Sequence, residues 1–143
     1  MSTVEENIET VYRDIDVFNN RKTESLGEIY ADTYTIHYPG LELKGIEAFS
    51  NYQHTVVNAF PDIRVKIDEI FGAGDSVAFR YTMEGTHKGE FKGIPPTGKK
   101  VKFQGVVINH FSEGKEVETW EFADRLGFLQ QLGVLPPPEE IGK

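Results

Sequence analysis

Apolar residues recur at spacings of three and four at the start of the chain: Val4, Ile8, Val11, Ile15 and Phe18, with Tyr12 alongside. That period predicts an amphipathic helix, and Thr3 with Glu6 has the spacing of a capping box at its start. Asn19-Asn20-Arg21 ends it. A shorter helix is expected over 24–30, with Leu26, Ile29 and Tyr30 on one face. Residues 33–39 are β-branched and aromatic and predict a short strand, followed by a loop bracketed by Gly40 and Gly45. A third helix is expected over 45–60, where Phe49, Tyr52, Val56 and Phe60 share a face and Pro61 stops it.

From Ile63 the period changes to two. Ile63, Val65 and Ile67 alternate with Arg64, Lys66 and Asp68, and Gly72-Ala73-Gly74-Asp75 is a turn. Val77, Phe79, Tyr81 and Met83 continue the alternation. Residues 85–99 form a glycine- and proline-punctuated excursion. Strands over 101–111 and 116–124 are joined by a hairpin turn at Ser112-Glu113-Gly114-Lys115, which suits a type I turn with a glycine bulge. A final short helix over 126–132 ends at Gly133. Helices first and a strand meander after them define an α+β layout, with an antiparallel sheet curled over the three N-terminal helices into a cone. We expect one domain over 1–135 and a proline-rich acidic tail over 136–143, with no repeat or linker.

Composition narrows the function. Of the 143 residues, 38% are hydrophobic and 27% charged, the balance of a globular domain rather than a disordered chain. A net charge of −8 disfavours nucleic acid and anionic membranes as partners. No apolar run is long enough for a transmembrane helix. There is no cysteine, which excludes disulfides, cysteine zinc sites and thiol nucleophiles. With no apolar leader, the expected location is cytoplasmic.

The segment EVETWEFAD (116–124) concentrates the candidate chemistry, because it sets carboxylates among Val117, Trp120 and Phe122. A carboxylate walled by apolar groups is the raw material of acid–base catalysis. With Phe111 paired to Lys115, Glu121 falls across from Gly105, and Val107 across from Thr119. Glu121, Thr119, Val107 and Asn109 then share one face. Trp120, Phe122 and Asp124 share the other with Val106, Ile108 and His110. A regular strand cannot aim both Glu121 and Asp124 into one pocket. Asp124 either turns inward at a bulge or caps the last helix. His37, in the run YTIHYP, and His87, which extends the Val77–Met83 alternation, are candidates for proton transfer or hydrogen bonding, each weighed against a purely structural role. No histidine pair has metal-ligand spacing, so no metal site is expected. Neither a nucleophile elbow nor a phosphate loop is present.

Four blocks carry a resemblance: AFPD at 59–62, GDSVAFR at 74–80, GTHKGEFKGIPPTGK at 85–99 and EGKEVETWEFADRLGFLQQLG at 113–133. In this order they resemble the SnoaL-like polyketide cyclases, members of the nuclear transport factor 2-like, or cystatin-like, α+β superfamily. The resemblance covers nearly the whole chain. It implies an aldol-type ring closure without metal or cofactor, promoted by an aspartate on the last strand and assisted by a neighbouring histidine. The aspartate position falls on Glu121, which reaches one methylene farther, and the histidine position falls on Val107. Asp124 matches a second family aspartate and His87 a family histidine. Phe18 and Tyr52 fall at pocket-lining positions.

Together these readings make Glu121 the leading catalytic candidate, with His37 and Asp124 as further candidates. His87, Trp120, Phe18, Tyr52, Val107 and Asn109 are the expected substrate contacts. The expected substrate is a small hydrophobic carbonyl or polyketide-like compound, converted by a cofactor-independent cyclase, isomerase or lyase. A non-catalytic binding module of the same fold is the alternative, and an epoxide hydrolase or ketosteroid isomerase relative a third. Apolar residues on both faces of the sheet predict a homodimer.

Overall fold

The computed structural model describes residues 2–136. Helix α1 spans Val4–Asn19 and starts as expected. Thr3 and Glu6 form a reciprocal capping box, with Glu6 N donating to Thr3 Oγ1 at 3.1 Å and Thr3 N donating to Glu6 Oε1 at 2.9 Å. A single 3₁₀ turn, Thr23–Ser25, leads into the short α2, Leu26–Ile29. Strand β1 is Tyr30–Tyr38, β2 is Leu41–Lys44 and helix α3 is Ile46–Ala59. Four strands follow: β3, Arg64–Ala73; β4, Ser76–Thr86; β5, Lys100–Ser112; and β6, Lys115–Ala123. Helix α4, Arg125–Gln131, closes the described chain. Of the tail expected over 136–143, residues 137–143 lie outside the described residues.

The six strands form one sheet in the order β2-β1-β6-β5-β4-β3. The α+β layout is as expected, with two differences. The segment after Gly40 is strand β2, not a loop, and it pairs antiparallel with β1. The β1–β6 pair is parallel, so the sheet is mixed. Parallel neighbours need a long crossover. Here everything between β1 and β6 supplies it, including the β3–β4–β5 meander.

Helix α1 packs on β3 and β4, and α3 packs on β1 and β2. Both cover one face of the sheet. Register shifts interrupt the ladders at Ile67/Glu69 in β3, at Glu116/Glu118 in β6 opposite Phe111 and His110, and at Tyr30/Thr35 in β1. Bulges raise local twist and bend the strand, and these wrap the sheet around the two helices. The core divides into a cluster under α1 (Val11, Val77, Phe79, Tyr81, Val107, Phe111) and one under α2 and α3 (Val17, Leu26, Ile29, Tyr34, Phe49). A third joins Ala59, Phe60, Ile63 and Leu132 at one end. A cavity lies between the clusters.

The β5–β6 hairpin corrects one turn and one register. Ser112 pairs with Lys115, and both Glu113 (φ 52°) and Gly114 (φ 78°) are left-handed, so the turn is a two-residue type I′ rather than type I with a bulge. The bulge instead sits farther down, where Phe111 opposes Glu116 and His110 opposes Glu118. Glu121 therefore stands across from Val107, two residues from its expected partner Gly105. The slip is even, so the faces keep their assignment.

Candidate active site in the cavity between sheet and helices

The cavity has a volume of about 350 Å³ and is walled by α1, α3, the inner face of the sheet and the 85–99 excursion. Its lining is largely aliphatic and aromatic: Ile15 and Phe18 from α1, Tyr52 and Val56 from α3, and Phe79 and Met83 from β4. Phe18, Tyr52, Val107 and Asn109, four of the expected contacts, line it.

Glu121 projects into this wall beside Val107. Its Oε2 accepts a hydrogen bond from the Tyr81 hydroxyl at 2.6 Å. Burial pushes the Glu121 carboxyl above its ordinary value, the Tyr81 hydrogen bond opposes the shift, and the charge of Asp14 adds to it. The Tyr81 phenol is pushed far up, by burial first and then by the Glu121 charge, so it stays protonated and serves as a donor. Tyr38 and Tyr34 also line the cavity, and their phenols are raised by burial first, then by Glu121 and Glu116 respectively.

Backbone geometry explains how Tyr81 reaches Glu121. Tyr81 pairs with Gly105 across β4–β5. A Cβ at Gly105 would stand 2.5 Å from Tyr81 Cζ and 2.7 Å from Cε2. Only glycine leaves room for the ring to lie over β5 toward β6.

Two further carboxyls in the cavity escaped the sequence reading. Asp14 comes from α1 and Glu116 from the bulge of β6. Glu116 is 1% exposed, and its Oε2 is buried with no hydrogen-bond partner. Burial first, then the charge of Asp14, drives its carboxyl well above the ordinary value, and the protonated group hydrogen-bonds Asp14. Burial also raises Asp14, against hydrogen bonds from Glu116 and Tyr30. Such a pair shares one proton, because two buried like charges in contact are costly. Asp14 could have been found from the helical pattern: it sits three residues after Val11 and four before Phe18, a charge inside an apolar stripe. Glu116 could not, because strand alternation puts it on the outer face and only the bulge turns it inward.

The remaining candidates lie elsewhere. His37 is corrected: along β1 the side chains of Tyr34, Ile36 and Tyr38 face inward, so His37 faces outward. There its Nε2 is 2.7 Å from Glu118 Oε2, its Nδ1 3.3 Å from Glu42 Oε1, and its ring stacks on Trp120 at 5.1 Å. Trp120 is corrected with it, since it lies on the outer face between His37 and His110 and does not line the cavity. Asp124 is the N-cap of α4, its Oδ1 accepting from Gly127 N at 2.9 Å outside the cavity. His87 is fully buried but stacks on Phe60 behind the wall and hydrogen-bonds Thr97. Its backbone bonds to Lys99 and Gly98 close the base of the 85–99 excursion.

A wrapped sheet enclosing an apolar cavity with carboxyls on its wall defines a nuclear transport factor 2-like protein, and solved structures of this fold superpose on nearly the whole chain. AclR of Streptomyces galilaeus does so with a TM-score of 0.86 at 25% identity, over 98% of this chain and 94% of that one. IdmH of Streptomyces antibioticus does so with a TM-score of 0.79 at 30% identity, over 90% and 99%. The family model of the SnoaL-like polyketide cyclases matches residues 9–132, and the chain belongs to that family of cyclase-type enzymes. Among curated relatives, the aklanonic acid methyl ester cyclase AcmA of Streptomyces galilaeus is 29% identical over 140 residues, 94% of each chain.

Among the described residues no helix is long and apolar enough to cross a membrane.

Proposed function

We propose that the cavity binds a small hydrophobic carbonyl compound of polyketide type, and that Glu121 is the acid–base group of a cofactor-independent ring closure. One observation carries this reading: a carboxyl raised by burial, held by a phenol at 2.6 Å, on the wall of an otherwise apolar cavity. A raised carboxyl has its pKa nearer neutral pH, where a base is both ionised and effective. In the proposed aldol closure, ionised Glu121 takes a proton from the carbon next to a carbonyl. The resulting enolate carbon bonds to a second carbonyl carbon. The oxygen that gains the electron pair takes the proton back, and the carboxylate is restored. Tyr81 orients Glu121 and stabilises its ionised form. The relatives named as cyclases support the reaction class.

The test is turnover by Glu121→Gln on a confirmed substrate. We expect a loss of at least about 100-fold; unchanged turnover sinks the assignment. A binding-only function is favoured by one feature, Val107, which puts an alkyl group beside Glu121. In that case the variant retains ligand affinity and neither protein turns anything over.

The chain also reads as a homodimer through the outer face of the sheet. Val106 is 50% exposed, Ile108 47% and Phe122 55%, a contiguous apolar patch on β5 and β6. A monomeric mass in light scattering at micromolar concentration contradicts this.

A further inference from the structure

Asn109 and Glu116 occupy successive inward positions of the β5–β6 ladder, where Asn109 opposes Thr119 and Phe111 opposes Glu116. Asn109 is 2% exposed. Its Oδ1 accepts from Thr119 Oγ1 at 2.7 Å, and Thr119 Oγ1 in turn accepts from the Tyr34 hydroxyl at 2.8 Å. That chain occupies the carbonyl end of the amide and leaves Nδ2 buried with no partner. Buried donors are rarely left so. Next to it, Glu116 Oε2 is equally buried, and Asp14 and Glu116 hold acceptor oxygens on the same cavity wall.

These groups lie at the closed end. Along the inner face of β6 the order is Ala123, Glu121, Thr119, Glu116. Exposure falls from half-buried at Ala123 and Glu121 to 3% at Thr119 and 1% at Glu116. Each inward step is about 6.6 Å along the strand. The Glu121–Tyr81 pair therefore stands between the mouth and a second polar patch. That patch offers the unused amide N–H groups of Asn109 and an acidic pair with acceptor capacity. A ligand carbonyl could use only the donor, and a ligand carboxylate would meet the carboxyl pair. A hydroxyl accepts from the amide and donates to a carboxyl oxygen.

We propose that the closed end of the cavity is a hydroxyl-binding subsite: Asn109 Nδ2 donates to, and the Asp14–Glu116 pair accepts from, a phenolic or enolic oxygen at the leading end of an apolar ligand. The proposal rests on the reading that the cavity holds a small apolar molecule. It adds where the molecule is anchored and which functional group it must carry. The subsite fixes the ligand lengthwise, so that carbon atoms nearer the mouth lie beside Glu121.

The test uses two probes of one shape, 2-naphthol and naphthalene, titrated calorimetrically into the whole protein. Wild type is expected to bind 2-naphthol at least about tenfold more tightly, because its hydroxyl both accepts from Asn109 and donates to the carboxyl pair. Asn109→Leu is expected to cut that preference sharply while still binding naphthalene, and Glu121→Gln to keep it. A crystal structure of wild type with 2-naphthol provides a readout that does not depend on the folding of a variant, with the oxygen expected within hydrogen-bond reach of Asn109 Nδ2. Equal affinities in wild type, loss of the preference in Glu121→Gln but not Asn109→Leu, or an oxygen seated on Tyr81 or Glu121 overturns the subsite. Naphthalene binding without a naphthol preference overturns the subsite alone. Binding of neither probe overturns the apolar-cavity reading and the subsite with it.

Discussion

The Tyr81 hydroxyl donates to Glu121 Oε2 at 2.6 Å across two strand pairs, from β4 over β5 to β6. This bond stabilises the ionised carboxylate and opposes the upward pull of burial. In Tyr81→Phe the opposing bond is gone and the Glu121 pKa rises further. If ionised Glu121 is the base, the acidic limb of the kcat/KM profile moves to higher pH. A pH–rate profile of the variant checks this, and a limb that stays put or moves down contradicts the role assigned to Tyr81.

Gly105 should be as sensitive as Tyr81 itself. An added methyl there meets the phenol ring at 2.5–2.7 Å, and the ring must tilt away from Glu121. Gly105→Ala is expected to destabilise the fold by about 1–3 kcal/mol through overpacking. It should also reproduce the pH shift of Tyr81→Phe although the hydroxyl is still present. Urea denaturation measures the first effect and the pH–rate profile the second.

These residues mark what could be read from the chain alone. Period-two alternation placed Glu121, Thr119, Asn109 and Val107 on one face correctly, because side-chain parity survives an even slip in register. It failed at Glu116, where the bulge opposite His110 and Phe111 reverses the parity. No local signal in EGKEVE announces that bulge. His37 was misplaced for a related reason: alternation in β1 assigns faces but does not say which face is inner, and that is set by the long-range pairing with β6. The Tyr81–Glu121 bond likewise depends on the β4–β5–β6 register, which only the folded sheet defines.

Asp124 and His37 provide a contrast with Glu121. Asp124→Ala removes the cap on α4 and should cost about 1 kcal/mol. Because the carboxyl lies outside the cavity, kcat at saturating substrate is expected to be unchanged. His37→Ala removes a ring from the outer face and should leave kcat unchanged as well. Steady-state kinetics of both variants decide this, and a loss approaching that of Glu121→Gln would return either residue to the site.

The Asp14–Glu116 pair should leave a signature in stability. Burial raises Glu116 above the ordinary 4.5, so the folded protein holds this proton to higher pH than the unfolded chain does. Between those two pKa values the native state binds more protons, and stability falls as pH rises. Glu116→Gln replaces the protonated acid with a neutral amide that can still donate to Asp14, and it cannot ionise. The variant should therefore match wild type near pH 4 and gain on it steadily at higher pH. Asp62, lowered by its hydrogen bonds to Thr86, acts with the opposite sign, but it is present in both proteins and cancels from the difference. Urea midpoints of the two proteins across about pH 4 to 9 test this. A variant that is less stable by a constant amount at every pH would mean that Glu116 is already ionised in the folded protein, and that Asp14 and Glu116 share no proton.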